Sequence, residues 1–116
     1  MNTTFSIYKT HLHVTYSGKR SFLEFSDLID KIYEQCRKNQ LQNILIDVSR
    51  ATGDWDDFDR YKIGKKVSQL FESPYKIAAI EKLEKINKFA ENTAVNRGAN
   101  LLVVSDCNEA LKWLLK

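Results

Sequence analysis

The chain has 116 residues, 43% hydrophobic and 28% charged, which is the size and composition of one globular domain able to bury a core. Eighteen Lys and Arg against fifteen Asp and Glu leave a formal charge of +3, spread from Lys9 to Lys116, too mild and too diffuse for a nucleic-acid binder. No apolar run nears the ~20 residues of a membrane span and no signal-peptide pattern opens the sequence, so a cytoplasmic chain is expected.

The first fifteen or so residues alternate apolar and polar. Phe5 and Ile7, then Leu12, Val14 and Tyr16, predict two strands at about 4–8 and 11–17 joined by a short turn. Ser21 and Glu24 then form a capping box. Behind it Phe22, Phe25, Leu28, Ile29, Ile32, Tyr33 and Cys36 recur at spacings of three and four, an amphipathic helix ending near Asn39. The run "NILIDV" (43–48) reads as a strand buried on both faces. A helix over 56–72 follows, carrying Phe58, Tyr61, Val67 and Leu70, with Gly64 as an unfavourable interior residue and Pro74 beyond its end.

"KIAAI" (76–80) is a further buried strand, whose alanines predict a helix packed close above it. A helix is expected at about 84–97, with Ile86, Phe89, Ala90 and Thr93 on one face and Gly98 as its left-handed stop. "NLLVVS" (100–105) is the last strand, and Asp106 with Glu109 caps a final helix carrying Ala110, Leu111 and Leu114. The order is β-β-α-β-α-β-α-β-α, without a linker. It predicts a single α/β domain over 1–116, with a mixed, mostly parallel sheet of about five strands and about four helices.

The end of the chain, "FAENTAVNRGANLLVVSDCNEALKWLLK" (89–116), has a family likeness in Phe89, Asn96, Arg97, Gly98, Glu109, Ala110, Leu111, Trp113 and Leu114. With the element order and the strand "ILIDV", it resembles the SpoIIAA-like (STAS/SEC14-like) branch of the STAS fold of anti-sigma-factor antagonists. The resemblance implies a non-catalytic bacterial regulatory domain that binds a protein partner. In signalling members a strand-end aspartate is followed by an Asp-Ser-Ser-Gly-like turn, where phosphorylation controls binding. Asp47 matches that aspartate, but the turn here reads "GDWDDFDR", so the serine switch is not carried over. The SEC14 side of the resemblance implies a lipid-like ligand or a membrane surface instead.

The acidic stretch after Asp47 invites a metal site. A calcium loop beginning at Asp54 fails, because its sixth and twelfth positions hold Asp59 and Lys65 rather than Gly and Glu. Aspartates in the first turn of a helix are explained by the helix dipole and by capping, with Asp56 and Arg60 as an i,i+4 pair. A Mg²⁺ site on Asp47 and Asp54 is the functional alternative. His11 and His13 share a strand face but lack a third ligand at a recognisable spacing, so exposed histidines are expected. Cys36 and Cys107 form no CxxC and are expected to be free thiols. No phosphate loop and no G-x-S-x-G context occurs, so no catalytic residue, cofactor or metal is assigned.

Two candidate surfaces remain. Asp47, Ser49, Asp54, Trp55, Asp56 and Asp57 are candidates for a protein partner, with Trp55 either an exposed aromatic anchor or a ring packed over the sheet edge. Lys82, Lys85 and Lys88, at a spacing of three, form a basic helix edge that, with Arg97, could meet a lipid or anionic ligand in the crevice beside that helix. The structural reading of Arg97 is a basic residue at a helix C-terminus. A homodimer is a further expected kind of partner, with no surface assigned to it.

Overall fold

The computed structural model describes residues 2–116. Strands β1 (Asn2–Ile7) and β2 (Leu12–Lys19) form an antiparallel hairpin, closed where the Tyr8 N–H donates to the His11 carbonyl at 3.0 Å. Helix α1 (Phe22–Asn39), strand β3 (Asn43–Thr52), helix α2 (Asp57–Leu70) and strand β4 (Lys76–Ile80) follow. A short 3-10 turn (Leu83–Lys85), helix α3 (Phe89–Asn96), strand β5 (Leu101–Val104) and helix α4 (Cys107–Leu114) complete the chain. The five strands lie side by side in chain order, with β1 antiparallel to β2 and the remaining pairs parallel. This is the mixed α/β sheet expected from the order of elements.

The sheet separates two cores. On one face Leu12, Val14, Ile44, Ile46, Ile77 and Leu101 meet α1, α2 and α3. On the other Leu45, Ala78, Ile80 and Val104 meet Ala110 and Leu114 of α4. Residues 44 to 46 alternate between these cores, which is why the centre of "NILIDV" is apolar on both faces. The fully buried pair Ala78 and Ala110 lets α4 sit close on its face, as the alanines of "KIAAI" predict. Cys36 is buried in the α1 stripe, where burial pushes its thiol up to about 11, while Cys107 is exposed; both are free.

Local chemistry sets the element ends. The Ser21 hydroxyl accepts from the Glu24 N–H at 3.4 Å, and the Asp56 carboxylate accepts from the Asp59 N–H at 2.7 Å. Gly98, at φ +95°, makes the left-handed exit of α3. Gly64 is buried inside α2 because a side chain there has no room. An added Cβ would stand 2.7 Å from the Ala90 carbonyl oxygen and 2.8 Å from the Thr93 Cβ. The glycine that weakens the helix locally thus brings α2 against α3.

Three expectations are corrected. β3 runs on to Thr52 rather than ending at residue 48, so Asp47 lies within the strand. The register with β2 shifts there, from Thr15↔Asp47 to Ser17↔Arg50, and the Asp47 carboxylate accepts from the Ser49 N–H (2.9 Å) and hydroxyl (2.6 Å) at the bulge. The helix expected at 84–97 is divided: a 3-10 turn comes first, Lys88 adopts a left-handed φ of 64°, and α3 begins only at Phe89. The Asn87 side chain, accepting from the Phe89 N–H at 3.0 Å, starts the helix there. His11 is buried rather than exposed, stacked on Tyr8 at 5.0 Å.

Candidate functional site

Between the three-helix face and the sheet lies an apolar chamber of about 120 Å³. Phe25 and Ile29 of α1, Ile46 of β3, Ile63 and Val67 of α2, and Ala79 of β4 form its walls. Its mouth is charged: Arg60, Glu81, Lys85, Lys88 and Glu91 line it, together with Trp55 and Asn87. Glu81 directly follows β4, so the polar groups gather near the carboxyl ends of the parallel strands, where open α/β sheets commonly bind ligands.

A buried ion pair fixes one side of the mouth. The Arg20 Nη2 donates to Glu81 Oε1 at 2.9 Å, and Nη1 lies 2.7 Å from Oε2 as an electrostatic contact without hydrogen-bond geometry. The two side chains are 1% and 8% exposed, so each charge depends on the other. The Arg20 Nε also donates to the Gly53 carbonyl at 3.0 Å, and Glu81 Oε1 accepts from the Lys82 N–H at 2.8 Å. Residues 61 positions apart therefore join the β2–α1 junction, the loop after β3 and the end of β4. No periodicity or motif spacing signals this pair in the sequence.

Trp55 is half-buried and faces inward. Its ring packs 5.3 Å from that of Phe25, and the Arg20 guanidinium lies 5.8 Å from its centre. Of the two expectations for Trp55, the packed ring is the one seen: it lies at the end of the chamber. Lys85 ties this loop to the 3-10 turn, donating to the Gly53 carbonyl at 3.0 Å and to Asp54 Oδ1 at 2.6 Å. That hydrogen bond and the lysine's charge hold the Asp54 carboxyl below its usual value.

The other expected residues divide among different tasks. Asp47 and Ser49 bond each other at the β3 bulge, and Asp56 caps α2. Asp57 is exposed and meets Arg60 at 3.4 Å, in place of the expected Asp56–Arg60 pair. Lys82, Lys85 and Lys88 do not share a helix face. Lys82 precedes the 3-10 turn, and Lys85 latches the 53–54 loop. The Lys88 ammonium donates to the Val103 carbonyl at 2.5 Å and to Glu91 at 3.2 Å. Arg97 lies away from the chamber and donates to the Tyr61 hydroxyl at 3.0 Å. Among the described residues no group of three His, Cys, Asp or Glu is arranged to hold a metal ion. None of the described helices is long and apolar enough to cross a membrane.

No protein-family profile and no curated protein matches the chain. A solved structure does. It is that of an uncharacterised protein of the DUF3478 family from Shewanella loihica, described as having a SpoIIAA-like fold. It aligns over 97% of this chain and 93% of its own length, with a TM-score of 0.57 and 19% identity. The chain has a SpoIIAA-like fold. At that identity the likeness is one of architecture, and the site must be read from its own residues.

Proposed function

We propose that the chain is a non-catalytic binding domain for a small molecule with an apolar body and one anionic group. The observation that supports this is the chamber itself, apolar in its walls and cationic at part of its mouth. Its volume of about 120 Å³ is close to the ~150 Å³ of apolar cavities that stay dry and take up benzene. A single ring or a chain of roughly four to six carbons fits; a full acyl tail of a membrane lipid does not. At the mouth, among the described residues, the Arg60 guanidinium has only the exposed Asp57 at 3.4 Å as a carboxylate partner, which leaves donors for a ligand carboxylate. Lys85 and Lys88 flank it, although each already holds an internal partner.

Trp55 provides the readout. In a Trp113→Phe background it is the remaining tryptophan, so its emission reports on the chamber. Benzoate and hexanoate should shift that emission with dissociation constants at or below about 1 mM, and Arg60→Gln should weaken both at least threefold while leaving neutral toluene unchanged. If none of the three probes binds at about 1 mM, the reading fails.

A second reading, a protein partner, has its own support. Phe58 is 66% exposed beside Asp57, and the Lys62 ammonium lies between the Phe22 and Phe58 rings at 3.9 and 4.6 Å. Partner binding through the 49–60 segment would therefore centre on Phe58 rather than Trp55. Phe58→Ser should abolish capture of such a partner and leave benzoate binding intact.

A further inference from the structure

The two edges of the sheet are finished differently. At β5 the outward backbone is occupied by side chains of α3 and the residue before it: the Val103 N–H donates to Glu91 Oε1 at 2.6 Å, and the Val103 carbonyl accepts from Lys88 at 2.5 Å. In a strand as short as Leu101–Val104, one of its two outward-facing residues bracketed in this way leaves little ladder for another chain. The β1 edge carries none of the usual protections. "NTTFSI" has no charge, proline or glycine. Phe5 is 37% and Ile7 55% exposed.

We propose that β1 pairs with β1 of a second copy of this chain, joining two five-stranded sheets into one through a two-fold axis. The hairpin shows which groups are free. Tyr8 donates inward to His11, and ladder pairing alternates, so Thr4 and Ser6 also turn their peptide groups toward β2. The N–H and C=O groups of Thr3, Phe5 and Ile7 therefore point outward. An antiparallel register centred on Phe5 sets it opposite Phe5 of the second copy, with Thr3 opposite Ile7. Every one of those outward groups then finds a partner. Phe5 and Ile7 stand across from Val14 and Leu12, so their side chains lie on the face that carries α1, α2 and α3 and would be covered by their symmetry mates.

The occupant follows from charge and closure. The strand brings no charge to the two-fold, so self-pairing juxtaposes no like charges. The bracketed β5 edge blocks head-to-tail β1–β5 addition, which would otherwise grow open chains. What remains is the closed, isologous pair. This inference is independent of the chamber and its ligand.

Light scattering coupled to size exclusion should give twice the chain mass at a high protein concentration, falling to the single-chain mass on dilution. Amide hydrogen exchange identifies the surface. Protection of Thr3, Phe5 and Ile7 should rise with protein concentration by at least tenfold, while Thr4 and Ser6 are protected throughout. Phe5→Pro removes only an outward N–H and should give the single-chain mass with the circular dichroism of the native fold. A single-chain mass at concentrations up to about 1 mM overturns the proposal. So does a dimer whose Thr3, Phe5 and Ile7 amides exchange freely, and this measurement on the native chain decides the matter even if the proline variant fails to fold.

Discussion

Ala78 and Ala79 are neighbours in one strand and do opposite things. Ala78 points to the α4 face, where Ala110 meets it and both are fully buried. Ala79 points to the other face, where its methyl borders the chamber. On one side of the sheet a small residue draws a helix down; on the other it leaves space. Three helices cover the second face, but Gly64 clamps α2 to α3 and the Arg20–Glu81 pair holds the β4 end, so the space is spanned rather than filled. A void in a packed interior forfeits dispersion contacts along its lining, so this face is built at some expense of stability.

The comparison can be broken most severely at the ion pair. Glu81→Ala leaves the Arg20 charge buried without its partner and should cost about 3–5 kcal/mol in urea unfolding. The double change Arg20→Met with Glu81→Leu should cost much less, since it removes both charges together. Next come the alanines. Ala78→Leu forces α4 outward and should cost about 1–3 kcal/mol. Ala79→Leu grows into the chamber and should be neutral within ~0.5 kcal/mol while abolishing benzoate binding. Equal losses at the two positions would show that the chamber is not space a side chain can use. Gly64→Ala sets a helix gain of about 1 kcal/mol against the clash with Ala90 and Thr93. The clash involves backbone, so a net loss on the order of 1 kcal/mol is expected, with weaker ligand binding as α3 shifts.

The smallest effect lies in the hairpin. Burial, with the adjacent His13, holds the His11 imidazole below its usual 6.5. As pH falls the unfolded chain takes up this proton first. Stability is therefore full above pH 6.5 and declines as pH drops toward the lowered folded value. Thermal melts of His11→Gln should show a shallower decline than the native chain between about pH 7 and 5.

What the sequence makes legible is what periodicity carries. The α1 stripe, its Ser21 cap, the two-sided run at 43–48 and the alanines under α4 each follow from residue type at a fixed spacing, and each is where the pattern places it. The segment 82–88 misleads for the same reason. Its lysines and apolar residues keep a helical spacing, but Ile86 lines the chamber, Lys85 reaches Asp54 and Lys88 reaches Val103, and these separate demands break the helix. The acidic stretch is legible as a helix start through Asp56. The inward turn of Trp55 is not, because it depends on Phe25 and Arg20 from another part of the chain. A chamber is a lack of atoms, and no residue pattern announces one.

Lys85 carries one more consequence. Its contact with Asp54 joins the two loops at the mouth, and the carboxylate is 73% exposed. A surface ion pair of this kind adds little to stability and is screened by salt. One link across the mouth is thus a weak surface contact, while the walls are held by packed helices. Loosening that link needs no separation of the helices, and it comes more readily as ionic strength rises.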